Sequence, residues 1–197
     1  MKSCIDFYDD SANDWADEWY ENEHMLPYLK EFLSFVNKPK ARVLDLCCGS
    51  GYESRRLCNL GADVVGVDLS ENSLNIAREK NLNISFYKKD MLNSYADLGE
   101  FDGIVCIAGI IHIEKKDIEI AFKNMAEVLK SGGYLLLVFK SGSVDKQTTE
   151  LNGETYARNS INYTKDELKK ASEKWFSFVK DLSPADSGWK YFIYKRR

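Results

Sequence analysis

The sequence predicts an α/β protein built on a parallel β-sheet with helices on both of its faces. Between residues 41 and 139, short apolar segments alternate with segments whose apolar residues recur at helical spacing. The apolar segments are continuous rather than strictly alternating, which is typical of strands buried on both faces. The length of 197 residues and the hydrophobic content of 44% are ordinary for one globular domain.

The first forty residues are predicted to be helical. Ser11 is a candidate N-cap for a helix that passes through Trp15 and Tyr20. A second helix is predicted from Met25 to Val36, because its leucines fall on one face, and the following proline ends it.

Five strands are predicted in the central part of the chain, at about residues 41–46, 62–67, 84–87, 101–107 and 134–139. Helices are predicted between them at about residues 52–60, 70–80 and 116–129. Ser70 is a candidate cap for the second of these helices, whereas Gly61 and the Ser131-Gly132-Gly133 segment are stop signals.

The last part of the chain breaks this alternation. Residues 140–162 are polar and rich in Ser, Thr, Asn and Gly, so they are predicted to form a long loop. A helix is predicted after Thr164, with Glu167 at the capping-box position. Residues 175–179 and 189–194 alternate polar and apolar side chains around a Pro- and Gly-containing turn, which predicts a β-hairpin.

Composition excludes several classes of protein. The net charge of -4 and the pI of about 5.4 do not indicate a nucleic-acid partner. Five cysteines without CxxC spacing predict reduced thiols in a cytoplasm, and no metal site stands out. The absence of a long apolar run predicts neither a signal peptide nor a membrane span. The oligomeric state is not indicated by any pattern.

The segment from Val43 to Gly51, VLDLCCGSG, carries the strongest functional signal. A buried strand leads into a glycine turn and then a helix, which brings backbone amides close to a ligand at the carboxyl edge of the sheet. The second strand ends at Asp68, where a carboxylate accepts hydrogen bonds from ribose hydroxyls. The pattern therefore predicts a nucleotide-type ligand.

The details of the turn favour one kind of nucleotide. No third glycine follows Gly51, as a dinucleotide site requires, and no lysine follows it, as a Walker loop requires. Asp45 precedes the turn, where an acid repels a pyrophosphate but suits a ligand with a cationic amino group. An adenosyl amino acid is therefore favoured over NAD or ATP.

The segment resembles motif I of the class I S-adenosylmethionine-dependent methyltransferases. Asp45 and the Gly49-Ser50-Gly51 run match the acid and the glycines of that motif, and Cys47 stands where the family usually has its first glycine. The resemblance covers about residues 41–139 and, more loosely, the whole chain. It implies a Rossmann-like, doubly wound, mostly parallel seven-stranded sheet with an antiparallel C-terminal hairpin and N-terminal helices. It also implies S-adenosylmethionine as cofactor and S-adenosylhomocysteine as product.

Further motifs extend the resemblance. Asp68 matches the ribose-binding acid, the Asp90-Met91 pair matches the residues that border the adenine, and residues 101–112 resemble the motif that lines the methyl-transfer crevice. Residues 129–135 match the family's L-K-P-G-G-x-L signature, with Ser131 replacing proline. The implied cofactor-binding residues are Asp45, Cys47, Gly49, Ser50, Gly51, Asp68, Leu69, Asp90, Met91, Ile107 and Ala108.

The acceptor side is predicted from the positions of a few residues. His112 follows the fourth strand, where its ordinary pKa suits a general base; the alternative is a histidine that only shapes the site. Tyr8 and Trp15 are lid candidates, because N-terminal helices often cover the site in this family. Tyr156 and Arg158 are candidates to bind a carboxylate or phosphate of the acceptor.

The predicted organisation is a single domain with an N-terminal helical lid (1–40), a cofactor-binding core (41–139) and an acceptor-side segment (140–197). The predicted function is methyl transfer to a nitrogen, oxygen or sulfur atom of a small molecule, without nucleic acid or membrane partners. A methyltransferase acting on protein or nucleic acid, and a non-catalytic S-adenosylmethionine-binding protein, remain the alternatives.

Overall fold

The computed structural model describes residues 1–142 and 145–197, and a seven-stranded sheet forms its centre. The strands are β1 (Arg42–Leu46), β2 (Asp63–Asp68), β3 (Ser85–Lys88), β4 (Phe101–Ile107), β5 (Leu129–Lys140), β6 (Lys146–Leu151), β7 (Glu154–Ser160), β8 (Phe176–Asp181) and β9 (Trp189–Arg196). The order in the main sheet is β3-β2-β1-β4-β5-β9-β8. The first five of these strands pair in parallel, and β9 is antiparallel to both of its neighbours. The predicted fold class is therefore confirmed.

Helices cover both faces of this sheet. They are α1 (Cys4–Asp10), α2 (Ala12–Trp19), α3 (Leu26–Val36), α4 (Tyr52–Asn59), α5 (Glu71–Lys80), α6 (Ile118–Val128) and α7 (Lys165–Ser172). Short 3-10 turns lie at Ala96–Leu98 and Ile110–His112. Among the described residues, no helix is both long and apolar enough to span a bilayer.

The continuous apolar strands follow from burial on two faces. In β1, Leu44 and Leu46 pack into a core with α6, whereas Val43 packs into a second core with α3. In β4, Ile104 and Val105 divide in the same way. Because successive side chains point to opposite faces, apolar residues follow one another along such strands instead of alternating with polar ones.

The N-terminal region contains both predicted helices, α2 and α3, and an additional helix, α1, before them. Ser3 caps α1 with a reciprocal capping box to Asp6, and a separate helix, α2, follows. The Ser11 hydroxyl does not cap α2 but donates backwards to the carbonyl of Phe7, at 2.6 Å. The two helices are thus separated at Ser11, whose backbone is not helical.

The predicted loop over residues 140–162 is wrong for most of its length. β6 and β7 form an antiparallel hairpin in which Leu151 pairs with Glu154 across Asn152 and Gly153. Both turn residues have positive φ, 50° and 80°, as a two-residue Asn-Gly hairpin turn requires. The polar side chains of these strands give no strand pattern in the sequence, but the Asn-Gly pair does indicate a hairpin turn. Residues 143 and 144 lie outside the described part of the predicted loop.

Candidate cofactor and acceptor site

The glycine turn after β1 has an unusual backbone. Cys47, Gly49 and Gly51 all have positive φ, at 64°, 52° and 80°. A Cβ added at Gly49 would meet no other atom within 4 Å, so that residue borders open space. A Cβ at Gly51 would lie 3.0 Å from Ala77 and Phe86, so that residue is required for packing. The turn therefore combines a packed side with an open side at Gly49.

Asp68 lies beside this turn at the carboxyl end of β2. Its Oδ2 accepts a hydrogen bond from the Gly49 amide at 2.8 Å, and its Oδ1 accepts one from the Ser70 amide at 2.9 Å. Burial raises the pKa of Asp68, while these backbone hydrogen bonds oppose the rise. The two amides fix the orientation of the carboxylate, and the half-buried Leu69 follows it.

Asp45 is enclosed rather than open to solvent. Only 2% of it is exposed, and the Ser54 hydroxyl of α4 donates to its Oδ2 at 2.6 Å. Burial raises the pKa of Asp45 to about 7, although the hydrogen bond from Ser54 opposes the rise. The carboxyl group is therefore poised to change charge near neutral pH.

Asp90 and Met91 continue the same edge beyond β3. The amide of Lys89 donates to the carbonyl of Asp68 at 3.0 Å, which holds this segment against the end of β2. Asp90 Oδ1 accepts from the Leu92 amide at 2.9 Å, whereas Met91 is buried in the core. Asp90 thus organises a turn at the predicted position.

The end of β4 closes the other side of the turn. Ile107 is half-buried, and Ala108 has a φ of 58° while its amide donates to the Val138 carbonyl at 2.9 Å. Gly109 lies so close to Cys47 that an added Cβ would be 2.7 Å from the Cys47 sulfur. Sequence reasoning missed Gly109; a glycine two positions after the end of a strand is the signal that could have marked this close approach.

On the acceptor side, the structure brings together three predicted residues. Tyr8 of α1 lies 2.7 Å from His112, measured from its hydroxyl to Nε2. Arg158 of β7 donates to the Tyr8 oxygen through Nη2 at 2.8 Å and Nε at 3.3 Å. His112 Nδ1 lies 2.6 Å from the carbonyl of Asn159. Because a carbonyl only accepts, Nδ1 carries the proton, and Nε2 of the neutral ring accepts from Tyr8.

The pKa values of this group differ from those of exposed side chains. Burial lowers the pKa of His112 to about 4, with the hydrogen bond to Asn159 opposing and the charge of Arg158 contributing. Burial raises the pKa of Tyr8 to about 12, against the influence of Arg158. The near-neutral pKa expected for His112 from sequence is therefore not found, because the ring is buried beside a cation.

The other two acceptor candidates have different surroundings. Tyr156 is buried, and its hydroxyl donates to Asp10 at 2.8 Å, so it fastens α1 to β7. Trp15 is half-buried and stacks on Trp19, which in turn stacks on Tyr52 at the start of α4. Among the described residues, neither of them forms a hydrogen bond or a ring contact with His112.

Asp9 is a further residue that sequence reasoning missed. Its Oδ1 accepts from the Ser70 hydroxyl at 2.6 Å and from the Asn72 amide at 3.0 Å. Consecutive residues of α1 thus bind segments that follow different strands: Tyr8 binds His112 after β4, and Asp9 binds Ser70 and Asn72 after β2. No pattern in the N-terminal sequence indicates this bridge.

Comparison with known proteins agrees with this geometry. Residues 43–133 match a family model described as a methyltransferase domain. The chain is 39% identical over 102 residues to YqeM of Bacillus subtilis, covering 49% of this chain and 41% of that protein. It is 31% identical over 138 residues to a ubiquinone biosynthesis O-methyltransferase of Coxiella burnetii, covering 62% of this chain and 57% of that protein. The chain thus spans about half the length of these relatives.

Solved structures share the fold. A protein of Pyrococcus horikoshii superposes with a TM-score of 0.74 at 24% identity, covering 89% of each chain. The magnesium protoporphyrin IX methyltransferase of Synechocystis, solved with bound S-adenosylmethionine, superposes with a TM-score of 0.76 at 17% identity, covering 98% of this chain and 95% of the other. Residues 43–133 thus match a methyltransferase domain, and the chain shares its fold with these solved structures.

Proposed function

We propose that this protein transfers the methyl group of S-adenosylmethionine to a small-molecule acceptor. The observation that carries the proposal is the position of α1. Through Asp9 and Tyr8 it joins Ser70, which follows β2, to His112, which follows β4, on either side of the Gly49 turn and Asp68. Such a bridge orders a site and excludes water from it, which are the main requirements for transfer from an already activated donor.

The residues at the crevice fit an adenosyl amino acid. Gly49 is open on one side, Asp68 is a carboxylate held in a fixed orientation, and Asp45 is a buried acid able to ionise beside a cationic amino group. The residues that would hold the cofactor are Asp45, Cys47, Gly49, Ser50, Gly51, Asp68, Leu69, Asp90, Met91, Ile107 and Ala108. Bound there, S-adenosylmethionine supplies a methyl group on a positively charged sulfur.

The acceptor side contributes polar groups of defined protonation state. Nε2 of His112 carries no proton, and it accepts a hydrogen bond from the Tyr8 hydroxyl. We propose that Nε2 of His112 takes up the proton that the methylated molecule loses, either directly or through the Tyr8 hydroxyl. An amine or thiol needs little such help, whereas a hydroxyl acceptor benefits from it.

A small acceptor is favoured by the relatives and by charge. The Coxiella and Synechocystis proteins are named for small-molecule acceptors, and the chain has a net charge of -4, which does not favour a nucleic acid. All five cysteines are free thiols, which supports a cytoplasmic location.

Thermal shifts test the cofactor assignment. At 100 times its dissociation constant, a ligand stabilises the folded state by about 2.7 kcal/mol. For a chain of this size that corresponds to an increase in melting temperature of roughly 5–10 °C. We expect the increase with S-adenosylmethionine and S-adenosylhomocysteine but not with NAD or ATP. An increase with NAD or ATP alone would contradict the proposal.

Substitution of Asp68 tests the ribose assignment. Asp68→Ala should weaken binding of S-adenosylhomocysteine by about 1–3 kcal/mol, because a charged hydrogen-bond partner is lost. Asp63→Ala is the matched control, since Asp63 is exposed at the other end of the same strand. Calorimetric titration of both variants decides the point, and equal affinities would contradict the assignment.

A further inference from the structure

Arg158 is a half-buried cation without a carboxylate partner among the described residues. Its only hydrogen bonds there run to the neutral hydroxyl of Tyr8. Its guanidinium group lies 4.6 Å from the ring centroid of Phe7 and 5.2 Å from that of Tyr8. Aromatic rings stabilise a guanidinium group, but they do not neutralise its charge.

The other arginines of the described chain are bound differently. Arg56 and Arg78 form ion pairs with glutamates. Arg42 and Arg55 donate to carbonyl oxygens, and so do Arg196 and Arg197. The other arginines thus donate to carboxylate or carbonyl oxygens, whereas Arg158 donates only to a phenol oxygen among the described residues. Its N–H groups are therefore the ones best able to bind an added anion.

The position of this cation is specific. Arg158, Tyr8 and His112 form one hydrogen-bonded chain that ends on the Asn159 carbonyl. A group bound to Arg158 is thus held next to the Tyr8 oxygen and His112 Nε2, the atoms proposed to take up the proton of the acceptor. The cation also contributes to the low pKa of His112, and an anion bound at Arg158 would cancel that contribution.

We propose that the methyl acceptor carries an oxyanion, a carboxylate or a phosphate, and that Arg158 binds it. This inference rests on the proposed function and specifies its substrate class. The planar guanidinium group offers two parallel N–H donors to such a group. Binding of the oxyanion competes with the Arg158–Tyr8 hydrogen bonds and so releases the Tyr8 oxygen beside the reacting atom.

Binding of simple oxyanions tests the proposal without knowledge of the acceptor. The protein is saturated with S-adenosylhomocysteine and titrated, at constant ionic strength, with benzoate, phenyl phosphate and inorganic phosphate, with neutral benzamide as the reference. We expect at least one oxyanion to bind and benzamide not to bind. Arg158→Gln should weaken that binding about ten- to a hundredfold, the loss typical of a hydrogen bond between charged groups.

Two further variants control for charge and folding. Arg78→Gln removes an equal charge from the exposed face of α5 and should leave oxyanion binding unchanged. Arg158→Lys keeps the charge without the planar pair of donors and should retain part of the affinity.

Turnover supplies a second measurement. Among acceptor pairs that share a nucleophile, such as 3,4-dihydroxybenzoate and its amide, the acid should give S-adenosylhomocysteine at least about tenfold faster, and Arg158→Gln should abolish that preference.

The outcomes separate this inference from the proposed function. Absence of S-adenosylhomocysteine binding by the wild-type protein contradicts the proposed function. Normal S-adenosylhomocysteine binding without any oxyanion binding, or with equal oxyanion binding by Arg158→Gln, overturns the present inference alone. Weaker S-adenosylhomocysteine binding by Arg158→Gln also overturns it, because Arg158 would then bind the carboxylate of the cofactor.

Discussion

Cys47 has a left-handed backbone, with a φ of 64°, a conformation that favours glycine. A side chain in this conformation costs roughly 1–2 kcal/mol, whereas glycine adopts it freely. The sulfur of Cys47 packs where Gly109 has no side chain, because a Cβ there would lie 2.7 Å from it. The two residues are therefore complementary: a larger residue in the turn is matched by a glycine after β4.

Substitution of Gly109 tests this complementarity. Gly109 has φ -72° and ψ -48°, which alanine adopts without strain, so any loss is steric. Gly109→Ala should lower the free energy of unfolding by about 1–3 kcal/mol, as overpacking of a core does. Urea denaturation measures the loss.

A double-mutant cycle identifies the cause of that loss. In the Cys47→Gly background the two nearest atoms are gone, and only the sulfur of Cys106, at 3.0 Å, remains close. Gly109→Ala should therefore cost less in that background. Equal costs in both backgrounds would show that Cys47 is not the obstacle.

At the scale of secondary-structure elements, the end of α2 depends on one buried arginine. Arg56 of α4 donates through Nη2 to the carbonyls of Trp19, Tyr20 and Asn22. Its Nη1 lies 3.4 Å from the carboxylate of Glu53, and both side chains are more than 90% buried. The carbonyls at the end of a helix have no partners within it, so this arginine satisfies them and joins α2 to α4.

Loss of this connection should destabilise the protein. Arg56→Gln leaves Glu53 buried without its partner, and removal of one member of a buried pair typically costs about 3–5 kcal/mol. Arg55→Gln changes a half-buried neighbour on the same helix that donates to Asn81 and Lys80 but forms no ion pair among the described residues. It should cost less, about 1–2 kcal/mol, because no buried charge is left without its partner. Urea denaturation measures both losses, and limited proteolysis within residues 1–25 reports on α2. Equal effects of the two substitutions would contradict the assigned role.

Helices and strands are predictable from sequence where their signals are local. The helix after Thr164 was found because its capping box is local, and the structure confirms both bonds to Glu167. The hairpin of β6 and β7 is not predicted because most residues of both strands are polar, so apolar and polar side chains do not alternate clearly. The separate α1 was missed because its start signal, Ser3 and Asp6, lies at the beginning of the chain, outside any apolar pattern.

At the scale of the whole molecule, the two halves of the site differ in predictability. The predicted glycine turn and ribose-binding acid lie within residues 43–68, where strand, turn and acid follow one another, and the Asp68–Gly49 bond spans 19 positions. The residues predicted for the acceptor side are brought together by the fold: Tyr8 is 104 residues from His112 and 150 from Arg158. The types of residue were predictable, but their contacts were not, because no local pattern specifies such distant pairs.

Two buried carboxyls and the half-buried His112 contribute to the dependence of stability on pH. Burial raises the pKa of Asp45 from 3.8 and that of Glu53 from 4.5, in each case to about 7. Both carboxyls therefore keep protons in the folded protein that the unfolded chain has already lost. Burial lowers the pKa of His112 from 6.5 to about 4, so below 6.5 the unfolded chain holds a proton that the folded protein lacks.

The sign of the net effect follows from these protons. Between pH 5 and about 6.5, the folded state binds two extra protons at the carboxyls and lacks one at His112. Between about 6.5 and 7 the carboxyls dominate. Because stability falls with rising pH wherever the folded state binds more protons, the ligand-free protein should become less stable from pH 5 to pH 8.

Urea midpoints measured across this range test the assignment to individual groups. Asp45→Asn should flatten the dependence, because one of the two retained protons is removed. His112→Asn should steepen it below pH 6.5, because the opposing contribution is lost. Saturation with S-adenosylmethionine should also flatten the dependence, since an ammonium group beside Asp45 favours its ionised form and returns its pKa towards that of the unfolded chain. A wild-type protein whose stability rises from pH 5 to pH 8 would contradict the burial of these two acids.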